Sequence, residues 1–125
     1  MRLWSQELIS KLPSKQIGGQ WRECIALLGN GWGRKHETVD YVFTHSKDKL
    51  VAYAKLILQE KYNRGHKPNS NLIVSALSKN HSDEVIDLML NGANYWLRQD
   101  RIYDEHNEEY TNHCILNLKG KGINI

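Results

Sequence analysis

The stretch from Ser46 to Gly65 limits the possible folds more than any other part of the chain. Ser46 stands where an N-cap belongs, Leu50, Tyr53, Ala54 and Ile57 recur at helical spacing on one face, and Arg64-Gly65 ends the run with a cation and a glycine. Lys47, Lys49, Lys55 and Lys61 fall on its polar sides, where solvation is the expected role. A helix of this kind needs partners for its apolar stripe, and the rest of the sequence offers further helices rather than strands.

Before it, Pro13 interrupts the opening segment and Ser14 takes an N-cap position, followed by Ile17, Trp21, Cys24 and Leu28 at helical spacing and a stop at Gly29. After it, a polar connector over 66–81 carries a short helical turn around 72–77. Ser82-Asp83-Glu84 opens another helix that bends or breaks at Gly92, and Asp104 to Lys119 reads as the last helix, buried through Tyr110, Cys114 and Leu118 with support from Ile115 and ended by Gly120 and Gly122. Only Val39 to Thr44 reads as extended, and weakly. Helical periodicity without strand alternation, repeats or low-complexity tracts predicts an all-α fold: one compact helical bundle with long loops over residues 1–125. That length buries a core without staples.

The formal net charge of +3 conceals an asymmetry. Residues 1–80 hold 13 Lys/Arg against 6 Asp/Glu, a net of +7, and residues 81–125 hold 4 against 8, a net of −4. The basic part is the one suited to a polyanion, although such an imbalance is as often a solvated surface. Cys24 and Cys114 form no Cys-x-x-Cys pair, which argues against a disulfide scaffold or zinc ribbon and fits a reducing cytoplasm. No apolar leader opens the chain, and no window approaches about 18 apolar residues, so a cytoplasmic protein with no membrane span is expected, acting as a monomer.

Glu23 lies about 200° around its helix from Trp21, at about 100° per residue, and so faces away from the apolar stripe. Gly19 and Ala26, its small neighbours one turn either side, leave two readings open: close approach by a ligand or another chain, or close helix packing at Gly18-Gly19. The Gly29-Asn30-Gly31-Trp32-Gly33 loop delivers Arg34, Lys35 and His36 in succession. Six histidines include no His-x-x-x-His pair, and His106-Asn107-Glu108-Glu109 supplies only an acidic helix start, so no metal site is expected. Trp32 is the tryptophan placed for stacking on a base, whereas Trp4, Trp21 and Trp96 read as packing residues. His45 reads as an ordinary hydrogen-bonding histidine.

Taken in order, these residues resemble the pyrimidine-dimer DNA glycosylase family, the endonuclease V-like repair enzymes. Trp21-Arg22-Glu23 matches an aromatic, an arginine and the family's catalytic glutamate at the same distance from the start. Arg34-Lys35-His36, Asp48-Lys49-Leu50 and Arg64-Gly65 extend the match, and Met1-Arg2-Leu3-Trp4 is similar to the opening of one subgroup. The resemblance implies an all-α fold and a DNA glycosylase with abasic-site lyase activity, in which an N-terminal α-amine attacks C1′ and forms an imine. It makes Glu23 the catalytic carboxylate and Met1 the nucleophile, because Arg2 is large enough for methionine to be retained where the phage-type enzyme exposes a small residue. Arg2, Arg22, Trp32, Arg34, Lys35 and His36 become DNA contacts. The implied partner is damaged double-stranded DNA, with no cofactor and no metal. The aromatic, basic tail of the phage-type enzyme has no counterpart in Lys119 to Ile125, so dimer specificity does not follow. A helical nucleic-acid-binding module without catalysis is the alternative, and a metal-dependent nuclease ranks below both.

Overall fold

The structure is a computed structural model that describes residues 3–29, 42, 45, 47–66, 74–75, 78 and 102–125. The Ser46 cap, the Gly-rich basic loop and the helix expected from Ser82 lie outside these residues. What is described is all-α: a 3-10 helix at Gln6–Lys11, then α1 (Ser14–Leu28), α2 (Lys47–Asn63) and α3 (Glu108–Gly120), with no strand among the described residues. The expected turn around 72–77 is helical at Val74 and Ser75, where the Ser78 amide donates to the Val74 carbonyl at 2.9 Å.

Proline sets the start of α1. Leu12, the residue before Pro13, is extended at φ −69° and ψ 143°, as crowding by the proline ring requires. Pro13 itself is the N-cap, its carbonyl accepting from the amides of Gln16 and Ile17 at 2.9 and 3.1 Å. Ser14 is therefore the first helical residue and not the cap that its residue type suggests. Its hydroxyl instead accepts from Arg64 Nη1 at 3.2 Å, and Arg64 Nη2 reaches the Ser10 carbonyl at 3.4 Å, tying the end of α2 to the start of α1. The apolar stripe of α1 holds as read, with Ile17, Trp21, Cys24, Leu27 and Leu28 buried.

Helix α2 is enclosed far more completely than one apolar face implies. Every residue from Leu50 to Leu58 is buried, including Lys55 at 5 % exposure. Lys55 is thus not a solvated side chain. A helix with α1 and the 3-10 helix packed on it, and with the His106 ring against its Tyr53, has no outer face along these turns. Burial pushes the Lys55 ammonium below its ordinary pKa.

Both α2 and α3 end in the same motif. Gly65 and Gly122 each take φ +81°, the left-handed region that favours glycine. The next amide turns back, His66 to the Lys61 carbonyl at 2.8 Å and Ile123 to Leu118 at 2.9 Å, satisfying carbonyls the helix leaves open. Helix α3 begins at Glu108, four residues later than Asp104, because the Asn107 side chain caps it by accepting from the Tyr110 amide at 2.9 Å. Turns over the preceding residues point Tyr103 and His106 into the core. There Tyr103 joins Cys114 and Leu118 of α3, Trp21 and Cys24 of α1, and Leu3 and Trp4, while the His106 ring lies against those of Tyr53 and Tyr103. Cys24 and Cys114 are buried and form no disulfide. No helix of the described residues is long and apolar enough to cross a membrane.

Candidate functional site

The turn of α1 that carries Arg22 and Glu23 follows Gly18 and Gly19. Helical side chains lean toward the N-terminus, so Arg22 extends back over both glycines. A Cβ on Gly18 would stand 3.6 Å from Arg22 Nη1, and one on Gly19 3.8 Å from Nη2. The space that the two glycines leave open is therefore occupied by the guanidinium of the same helix, which lies along the backbone while the residue as a whole stays exposed. Glu23 is half-buried, and its Oε1 is shut off from solvent, unlike an ordinary surface carboxylate. Next to it, burial and then the Glu23 charge push the Cys24 thiol far above its ordinary range, so this cysteine is an inert core residue.

On the inner side of the same helix Gln20 is only 3 % exposed. Its Oε1 accepts from the Trp4 amide at 2.7 Å and lies 3.1 Å from the Tyr53 hydroxyl. The closer acceptor for that hydroxyl is the Trp4 carbonyl, at 2.6 Å. The segment leading to the N-terminus is thereby held between α1 and α2. The last part of the chain grips it as well: the Tyr110 hydroxyl donates to the Leu3 carbonyl, Ser5 Oγ and Thr111 Oγ1 share a hydrogen bond of 2.6 Å, and the Gln6 amide donates to His106 Nδ1 at 3.3 Å. The Ile102 amide donates to Gln6 Oε1 at 2.9 Å. His106 is fixed in turn by stacking on Tyr110, with centroids 5.0 Å apart and planes 9° from parallel. Lys121 Nζ stands 5.9 Å from the centre of the Trp4 ring.

Of the residues singled out in the sequence, Arg22 and Glu23 come side by side on α1, and Trp4 and Trp21 are packing residues in the core. Met1, Arg2, Trp32, Arg34, Lys35 and His36 lie outside the described residues. His45 is the hydrogen-bonding histidine expected: its Nε2 lies 3.0 Å from Glu105 Oε2, and its ring tilts against Tyr103 at 5.4 Å. No group of three or more potential metal ligands occurs among the described residues. The residues that sequence reasoning missed are the ones that grip the terminal segment, Gln20, Tyr53, His106, Tyr110 and Thr111. Gln20 alone carried a signal, being a polar residue at a stripe position between Ile17 and Cys24.

The described residues thus form a helical domain that packs residues 3–6 between α1, α2 and the last part of the chain, with Arg22 and the partly sheltered Glu23 adjacent on α1. A family model described as pyrimidine dimer DNA glycosylase matches residues 1–74, more than half of the chain, and the protein belongs to that family of DNA repair glycosylases. Membership implies binding to damaged DNA. Neither the curated proteins nor the solved structures contain a match.

Proposed function

We propose that the protein is a DNA glycosylase with abasic-site lyase activity, acting through the α-amine of Met1 with Glu23 as its carboxylate. The observation that carries this reading is the hydrogen bond from the Trp4 amide to Gln20, which holds the terminal segment on α1 one turn before Glu23. Gln20 and Glu23 are about 4.5 Å apart along the helix axis. With Leu3 itself held through its carbonyl, two residues remain to carry the amine, a reach of at most about 7 Å.

An α-amine ionises near pH 7.7 to 8.0, so an appreciable fraction is neutral and nucleophilic at neutral pH, which is not true of lysine. In the proposed reaction its lone pair forms a bond to C1′ of the damaged nucleotide as the bond from C1′ to the base breaks. The base leaves with that electron pair and takes up a proton. Opening of the sugar ring gives a protonated imine, loss of a C2′ proton drives β-elimination of the 3′ phosphate oxygen, and water then releases the amine. Glu23 stabilises the positive charge developing at C1′ and carries protons between these steps, and its sheltered oxygen strengthens both roles. Arg22, resting on Gly18 and Gly19, binds a backbone phosphate beside the carboxylate, while Arg2, Arg34, Lys35 and His36 add phosphate contacts and Trp32 stacks on an exposed base. Reaching C1′ requires a bent duplex and an extruded nucleotide.

Borohydride trapping on DNA that carries an abasic site tests the reading. Protein with its native terminus is expected to form a covalent adduct, an N-terminally tagged form to form none, and Glu23→Gln to react at least about 100-fold more slowly. Salt-sensitive DNA binding with no adduct from the native protein would mean a binding module without catalysis.

A further inference from the structure

The final segment of the chain, residues 102–125, lies wholly beyond the part that matches the family, which ends at residue 74. Yet it places four hydrogen bonds on residues 3–6. Tyr110 holds the Leu3 carbonyl, Thr111 the Ser5 hydroxyl, His106 the Gln6 amide, and the Ile102 amide the Gln6 side chain. Among the described residues, Tyr110 holds the position nearest to the terminus. Its ring is clamped in place by the parallel His106 ring, and its amide by the Asn107 cap. An attacking amine must approach C1′ along one line, and small errors in its placement reduce the rate steeply.

We infer that Tyr110 is a positioning residue for the terminal amine, with Thr111 as its neighbour in the same clamp. This inference rests on the amine-based reading above. Tyr110 touches no reacting atom; it fixes the backbone two residues from the nucleophile. The clamp sets how the amine is presented, while the basic face of the chain sets how tightly DNA is held, so loss of the clamp reduces turnover and leaves affinity unchanged.

The test is Tyr110→Phe, which removes only the hydroxyl, studied by single-turnover borohydride trapping at saturating abasic DNA beside a direct binding titration. Trapping is expected to slow about tenfold or more, with the Kd within about twofold of the native protein. Thr111→Val provides a second variant with the same expected split and a smaller loss. Gly122→Ala loosens α3 at its far end without removing any of the hydrogen bonds on residues 3–6, and native-rate trapping is expected from it. Equal trapping rates for native protein and Tyr110→Phe would overturn the inference, as would slowing by Gly122→Ala to match. No adduct from the native protein would instead overturn the amine-based reading itself, a result that differs plainly from the other two.

Discussion

Glu105 and His45 form one of the few ion pairs among the described residues, and the pair gives the protein a dependence on acid. Desolvation raises the Glu105 carboxyl, but the hydrogen bond from His45, the residue's own backbone hydrogen bond and the charges of His45 and Lys49 outweigh it, leaving the carboxyl below its ordinary range. A folded-state pKa below the unfolded value makes the group stabilising above the unfolded pKa of about 4.3, and that stabilisation is lost as pH falls through the folded value. The carboxylate is 40 % exposed, so solvent screens the contribution to at most about 1 kcal/mol. Urea denaturation across this acid range should show a steeper loss of stability for the native protein than for Glu105→Gln. At the same scale, Gln20 illustrates how one polar residue on an apolar stripe organises a site. It is the side chain of α1 that accepts the Trp4 amide, and the buried Tyr53 hydroxyl lies beside it.

The helix ends explain what the sequence discloses and what it withholds. Gly65 and Gly122 were legible because a left-handed closing residue is a local requirement that few other residues meet. Gly65→Ala should destabilise the protein by about 1 kcal/mol or more, visible as a lower urea midpoint with an unchanged slope. The α1 stripe was legible for a similar reason, since spacing alone fixes which side chains share a face. The start of α1, the 3-10 helix and the full enclosure of α2 were not. At the start of α1 the residue types alone favour Ser14 as the cap, yet Pro13 takes that place and the Ser14 hydroxyl goes to Arg64; Lys55 is buried because elements close around α2, not because of its own pattern. The same division holds for the site. Arg22 and Glu23 stand out through their order and spacing near the start of the chain. The grip on residues 3–6 leaves no local signature, because Leu3 and Tyr110 or Ser5 and Thr111 are related only once the chain has folded.

Across the whole molecule, the charge asymmetry of +7 over residues 1–80 and −4 over residues 81–125 acquires a division of labour. The basic part carries the family match and the proposed phosphate contacts, and the acidic part includes the helix that grips the terminal segment. DNA affinity should therefore fall steeply with salt, and Arg22→Ala should lower the slope of log K against log salt by about 0.9, the value for one lost phosphate contact on duplex DNA. A titration over several salt concentrations measures this, and an unchanged slope would remove Arg22 from the phosphate contacts. The hydrogen bond between Ser5 and Thr111, 106 positions apart, also has a consequence for how the protein is made. On the ribosome, Ser5 waits for a residue made 106 positions later before its geometry is complete. A chain that stops before Thr111 lacks the hydrogen bonds that α3 places on Leu3 and Ser5, so the packing of this early segment is settled only after α3 has been made.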